Sequence, residues 1–180
     1  MAIGNVENFR EKFDGVRANR YVVKPLGGKS GLLGDNAELY IKAVSIPGTQ
    51  IGMIPVSYQG RQIKFSGERQ FGEWAFVVYD SANQRIREKF EAWINTMDSH
   101  LNHTVKYNVT EDWDIFYNDA AAQGHPGGSL TSGYGFRLQN VWPVDISPID
   151  LSYDLVDSFA EFTVTLAYDR HEVLPGGSTT

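Results

Sequence analysis

The sequence predicts a mainly β domain, an antiparallel β-sandwich or barrel with one α-helix packed on its flank. Three observations predict it. Runs in which apolar and polar residues alternate with period two recur on both sides of a single strongly amphipathic helix. The 180 residues include ten Phe, nine Tyr and four Trp, an aromatic load that suits pleated, half-buried surfaces. Glycine- and proline-rich turns separate the runs, and strands stay consecutive before and after the helix, which favours antiparallel pairing over strand–helix–strand units.

Taken in order, residues 5–16 predict a short N-terminal helix. Val6, Phe9, Phe13 and Val16 share a face, Asn5 can cap it and Gly15 can stop it. Tyr21 to Pro25 reads as a strand. Residues 27–34 hold four glycines in eight positions and read as a surface loop. Gly27-Gly28-Lys29-Ser30 lacks the first glycine that a phosphate loop needs at its spacing. Leu39, Ile41 and Ala43 alternate with Tyr40, Lys42 and Val44, a strand over 37–46.

A long hairpin follows at 47–70. Ile54, Val56 and Tyr58 alternate on one arm, Ile63 and Phe65 on the other, across a turn at Gln59-Gly60. Pro47-Gly48 and Gly67 punctuate its ends, so the hairpin can project. The other reading is an ordinary hairpin folded on its own core. Residues 73–79 are apolar on both faces, with Trp74, Phe76 and Val78 on one and Ala75, Val77 and Tyr79 on the other. That pattern predicts a strand covered on both sides.

Residues 81–98 form the flanking helix. Ser81 and Gln84 have capping-box spacing. Ile86, Phe90, Trp93, Ile94 and Met97 recur on one face, with Ile86, Phe90, Trp93 and Met97 as the core-facing set. Residues 104–117 read as strand material, and 118–133 as a turn-rich loop insertion. Tyr134, Phe136 and Leu138 alternate as a strand, after which Trp142-Pro143 forces an extended bend and Pro148 ends the segment. Residues 160–169 give the cleanest alternation, with Phe162, Val164, Leu166 and Tyr168 on one face. Residues 174–180 form a loose tail, and residues 1–180 make one domain.

Little in the chain suggests chemistry. There is no cysteine, so neither disulfides nor thiolate catalysis can operate, and a reducing compartment fits. His100 and His103 lie three apart without a third ligand at metal spacing, and no structural metal is expected. Glu111-Asp112-Trp113-Asp114 could pair two carboxylates beside an indole, but nothing supplies a partner set, and a solvated strand face explains it. No enzymatic role and no cofactor are expected. The N-terminus shows no apolar leader, and no run is long enough for a membrane helix, so no membrane association is expected. The net charge of −6 carries no basic patch of the kind that grips phosphates.

The ordered motifs Ile46-Pro47-Gly48, Ile54-Pro55-Val56, Arg61 to Arg69 ahead of Phe71 and Glu73-Trp74, and Arg87-Glu-Lys-Phe-Glu-Ala-Trp93 carry a resemblance. Leu138-Gln-Asn-Val-Trp-Pro-Val-Asp145 and Phe162-Thr-Val-Thr-Leu-Ala-Tyr168 complete it. From about Arg20 to Val173 the chain resembles the tail-tube proteins of contractile-tailed bacteriophages. The resemblance implies a virion protein assembled in the host cytoplasm, with six copies forming rings that stack into a tube. It implies a continuous inner β-barrel, a surrounding sheath, and contacts with baseplate, tail-terminator and tape-measure proteins. It also implies DNA crossing the bore into the host without sequence-specific binding. Tubes of type VI secretion and of phage-like bacteriocins share the plan and are the nearest alternative.

The plan is physically consistent. If each of six subunits lends about four strands at a spacing of about 4.8 Å and a tilt of about 40°, the barrel is roughly 48 Å across, with an open bore of roughly 40 Å. A duplex carries one charge per about 1.7 Å, so an acidic subunit avoids holding it. Candidate subunit contacts are Ile54, Val56, Tyr58, Arg61, Ile63, Phe65, Arg69 and Phe71, which combine alternating apolar residues with the aromatic and arginine types enriched at interface cores. A reading of another class is a monomeric carbohydrate-binding β-sandwich that uses Trp113 and Tyr117 as exposed platforms.

Overall fold

The computed structural model describes residues 6–12, 18–26, 40–83, 85–99, 104–118, 133–154 and 156–174. The cap at Asn5, the glycine loop at 27–34, Gln84, His100, His103, residues 119–132 of the insertion and residues 175–180 of the tail lie outside the described residues. In chain order the elements are α1 (Val6–Lys12), β1 (Tyr21–Pro25), β2 (Ile41–Val44), β3 (Gln50–Tyr58), β4 (Arg61–Gln70) and β5 (Trp74–Tyr79). Then come α2 (Ile86–Met97), β6 (Asp98–Ser99), β7 (Thr104–Val105), β8 (Glu111–Asn118), β9 (Gly133–Ile146), β10 (Glu161–Ala167) and β11 (Arg170–Leu174).

The body is built on a long bent ribbon. β9 runs for 14 residues, and β10 and β11 succeed one another along one of its edges. The register is continuous across their junction, from Ala167 opposite Trp142 to Arg170 opposite Gln139. β8 and then β1 extend the first half of the ribbon beside β9, while β5 and then β2 extend the second half beside β10. All pairs are antiparallel, and the strand order is β1-β8-β9-β10-β5-β2, with β11 also on β9.

The ribbon bends because β9 carries extra residues on both edges. The register slips between Glu111 and Trp113 on the β8 side and between Thr165 and Leu166 on the β10 side. Such bulges turn a strand and let it serve two layers. Asn140 sits at the bend with φ 55, a left-handed conformation that asparagine tolerates. Its side-chain amide donates to Asp169 Oδ2 at 2.7 Å, and its backbone N–H donates to Asp112 Oδ1 at 3.0 Å. β9 does not stop at Trp142-Pro143 but continues to Ile146. Only one edge is paired there, and that is where a strand accommodates a residue without an N–H.

Folding the two halves together makes the core. Trp113 of the first half meets Trp74 and Phe76 of the second, with ring centroids 5.8 and 5.5 Å apart. Ile86, Phe90 and Trp93 of α2 are buried against this core, and Met97 is half-buried at its margin. Trp93 Nε1 donates to the Val109 carbonyl at 2.8 Å, so its buried polar atom is satisfied. The helix begins at Ile86, later than the capping-box spacing suggests. Arg85 is its N-cap residue, with φ 47 and no side-chain cap, and the Arg85 N–H donates to the Ser81 carbonyl.

β5 differs from its expectation. Trp74, Phe76 and Val78 are buried, whereas Ala75 is exposed and Val77 and Tyr79 are half-buried. Among the described residues, the second face of β5 therefore has no full cover. It continues across β10 through Thr163 and Thr165, which pair with Val77 and Ala75.

Candidate assembly interface

Among the described residues, β3 and β4 pair only with each other and form a separate two-stranded sheet. The turn at its tip has positive φ at both central residues, Gln59 (φ 48) and Gly60 (φ 78). That is the arrangement whose twist suits a two-residue hairpin loop, and glycine meets the second position without strain. Lower down, Gly67 lies inside β4 and does not end the hairpin. The register slips between Ile51 and Met53, and a Cβ on Gly67 would come within 3.1 Å of the Gly52 backbone. Two facing glycines thus allow a close-packed bulge that bends the arm.

Above this bulge the arm has two unlike faces. Ile54 faces Phe65, Val56 faces Ile63, and Tyr58 faces Arg61. On the other side Met53, Pro55 and Ser57 face Ser66, Lys64 and Gln62. The apolar rungs are all exposed, from 44% at Val56 and Ile63 to 61% at Tyr58. An isolated two-stranded hairpin is only marginally stable in water. Fully burying one side chain of this type contributes about 1.5–3 kcal/mol, so an arm left uncovered forgoes several such contributions.

The base of the arm is anchored on β11. His171 is buried, and its Nε2 lies 3.0 Å from Thr49 Oγ1, one residue before β3. Phe71, one residue after β4, meets the His171 ring edge-on at 5.2 Å and the Tyr168 ring at 5.9 Å. Burial, and secondarily the positive charge of Arg69, hold the pKa of His171 below its ordinary value. His171 Nδ1 has no hydrogen-bond partner among the described residues, which disfavours a second proton on the ring.

A family model described as phage tail tube protein matches residues 12–174. The chain belongs to that family. It is 24% identical over 172 residues to the tail tube protein gp19 of Enterobacteria phage T4, covering 96% of this chain and all of the relative. Among solved structures it is similar to a chain of the PVC sheath/tube terminator of an extracellular contractile injection system. There the TM-score is 0.66 at 15% identity, with 91% of this chain and 99% of that chain covered. A chain of the PVC sheath-tube complex gives a TM-score of 0.64 at 14% identity, with 95% and 98% covered. These structural likenesses concern the fold.

In this tail tube family member, six of the sequence-derived contact candidates stand together on one arm face: Ile54, Val56, Tyr58, Arg61, Ile63 and Phe65. Arg69 lies below the bulge opposite Ile51, and Phe71 is half-buried against the core, so Phe71 serves as an anchor. The acidic run is not a solvated face. Asp114 is buried and accepts two hydrogen bonds from Arg137, Nε to Oδ1 at 2.8 Å and Nη2 to Oδ2 at 2.9 Å. Trp113 is buried and Tyr117 half-buried, which removes the exposed platforms of the carbohydrate-binding reading. Sequence reasoning missed His171 and Thr49. The only signal was a histidine set among apolar residues near the end of the chain.

Proposed function

We propose that this chain is the inner-tube subunit of a contractile phage tail. Six copies close into a ring, and rings stack into a tube that lies inside a sheath between the baseplate and a terminator. A tape-measure protein and then the genome occupy the bore, and the genome leaves through it into the host. The tube belongs to the virion and is assembled in the host cytoplasm. The subunit acts by assembly alone, without catalysis, metal or cofactor.

The observation that carries this reading is the apolar face of the arm, which no described residue of the subunit covers. A second copy supplies the missing cover. The outer face of β5 and β10 supports the same reading. Ala75, Thr165 and Ala167, away from the segment that follows β9, present short uncharged side chains there, which suits a barrel wall past which a polyanion slides. Among the described residues the Lys42–Glu161 ion pair on this face cancels itself, and exposed Asp145, opposite Thr165, leaves the face acidic.

Replacing Tyr58 and Arg61 by Ala tests the arm. The melting curve of the dispersed subunit is expected to stay near wild type, while tube formation seen by negative-stain microscopy fails or requires more protein. Hot-spot truncations cost about 2 kcal/mol or more each. A subunit destabilised by several kcal/mol would instead place the arm in its own core.

A further inference from the structure

We propose that the segment 147–160, which joins β9 to β10, is the surface on which the arm of a second copy closes. This rests on the reading of the arm as an intermolecular element and adds the identity of its receiver. Leu151, Tyr153, Val156 and Phe159 are each at least 83% exposed, a density of bare apolar side chains that the described residues otherwise show only on the arm. Phe159 is held in place by an edge-on contact with Tyr79 at 6.2 Å. Beside the segment lies an open groove of about 680 Å³, with Val77 and Tyr79 on its floor and Asp150, Asp157 and Phe159 on its rim.

Two relationships select a second copy as the occupant. The first is charge. The arm carries Arg61, Lys64 and Arg69 against Glu68, a surplus of two positive charges in a chain of net −6. The segment carries Asp150, Asp154 and Asp157 and no basic residue, all three exposed. Its neighbours Lys42 and Glu161 offset one another. Opposite fields on two apolar surfaces steer them together and set their register. The second relationship is position. The arm leaves the body at the Trp74 end of β5, whereas β10 begins opposite Tyr79 at the other end. Donor and receiver therefore sit at opposite ends of one sheet. A head-to-tail contact between copies follows, the kind that builds rings or filaments.

The chain has no cysteine, so single cysteines report contacts directly. Subunits carrying Q59C and subunits carrying S152C are mixed, assembled into tubes and treated with a short bismaleimide. A mixed covalent dimer is expected, and normal tubes that give none overturn the proposal. Charge reversal is the second arm. R61E and D154R are each expected to raise the protein concentration needed for tubes by about tenfold or more, and mixing R61E with D154R changes in one chain to restore it. If arm variants block assembly while D154R and D157R assemble as wild type, the receiver is wrong and the arm reading stands. If neither set affects assembly, both fail.

Discussion

Thr49 Oγ1 and His171 Nε2 lie 3.0 Å apart, and this contact ties the entry to the arm to a strand 122 residues later. Phe71, on the exit from the arm, packs on the same imidazole. One buried side chain thus holds both feet of a hairpin whose strands pair, among the described residues, only with each other. How firmly the arm stands depends on the state of that ring.

His171 predicts an acid-sensitive base. Its folded pKa is lowered from 6.5, so the fold favours the neutral ring. The resulting stabilisation is complete above 6.5 and is lost as pH falls through the lower folded value. Hydrogen-exchange protection at residues 49–51 and 69–71, measured against the intrinsic rate at each pH, is expected to fall below pH 6.5 in the wild type and to change less in H171F. Parallel profiles in the two proteins would remove His171 from this role.

Asp114 and Arg137 predict an asymmetric mutational response. Asp114 is 5% exposed at its side chain and Arg137 39%. R137M leaves a buried carboxylate without its partner, which costs about 1–3 kcal/mol once the exposure of the arginine is allowed for. The double variant D114L/R137M should recover much of that loss, because no unpaired charge remains buried. Thermal melts of the dispersed subunit decide this, and a double variant as unstable as the sum of both singles would contradict it.

Phe90 predicts a large core effect. It is 1% exposed and lies among Phe76, Trp93 and Phe162. F90A is expected to cost about 3–5 kcal/mol through lost burial and the cavity left behind. At about 2–4 °C per kcal/mol for a chain of this size, the melting temperature should fall by an amount easily measured by circular dichroism. A change under one degree would mean that the helix does not close the core.

Gly135 predicts a packing clash. It faces Phe116 across the β8–β9 pair, and a Cβ there would come within 2.7 Å of the Phe116 ring. G135A is expected to destabilise the subunit by about 1–3 kcal/mol. Pairing it with F116V should relieve part of the strain, read as a positive coupling in a double-mutant cycle. Independent, additive effects would show that the ring moves aside freely.

Ala75 and Thr165 predict a transport effect under the proposed barrel-wall arrangement. A75K and T165K add positive charge to a face that carries exposed Asp145 and no unpaired lysine or arginine among the described residues. Tubes should still form, while DNA ejection slows and the slowing weakens with added salt, as expected for phosphate contacts. Ejection at the wild-type rate from lysine-bearing tubes would place this face away from the DNA.

Much of the fold was legible in the sequence because its signals are local. Period-two alternation marked β3, β4 and β10, an apolar run marked β5, and helical spacing marked the buried face of α2, since pleat and helical turn set those periods residue by residue. The Gln59-Gly60 turn and the apolar face of the arm were readable for the same reason, and so was the resemblance to tail tube proteins. The tertiary structure alone decided the rest. Nothing local says that β10 and β11 form one ladder along β9, that Asn140 bends the ribbon, or that Asp114 is buried against Arg137. Nor does alternation say that β5 is covered on one face only, or that His171 clamps an arm that begins at Thr49. Each depends on which strands meet across tens of residues, and pairing at that range is set by how the whole core closes.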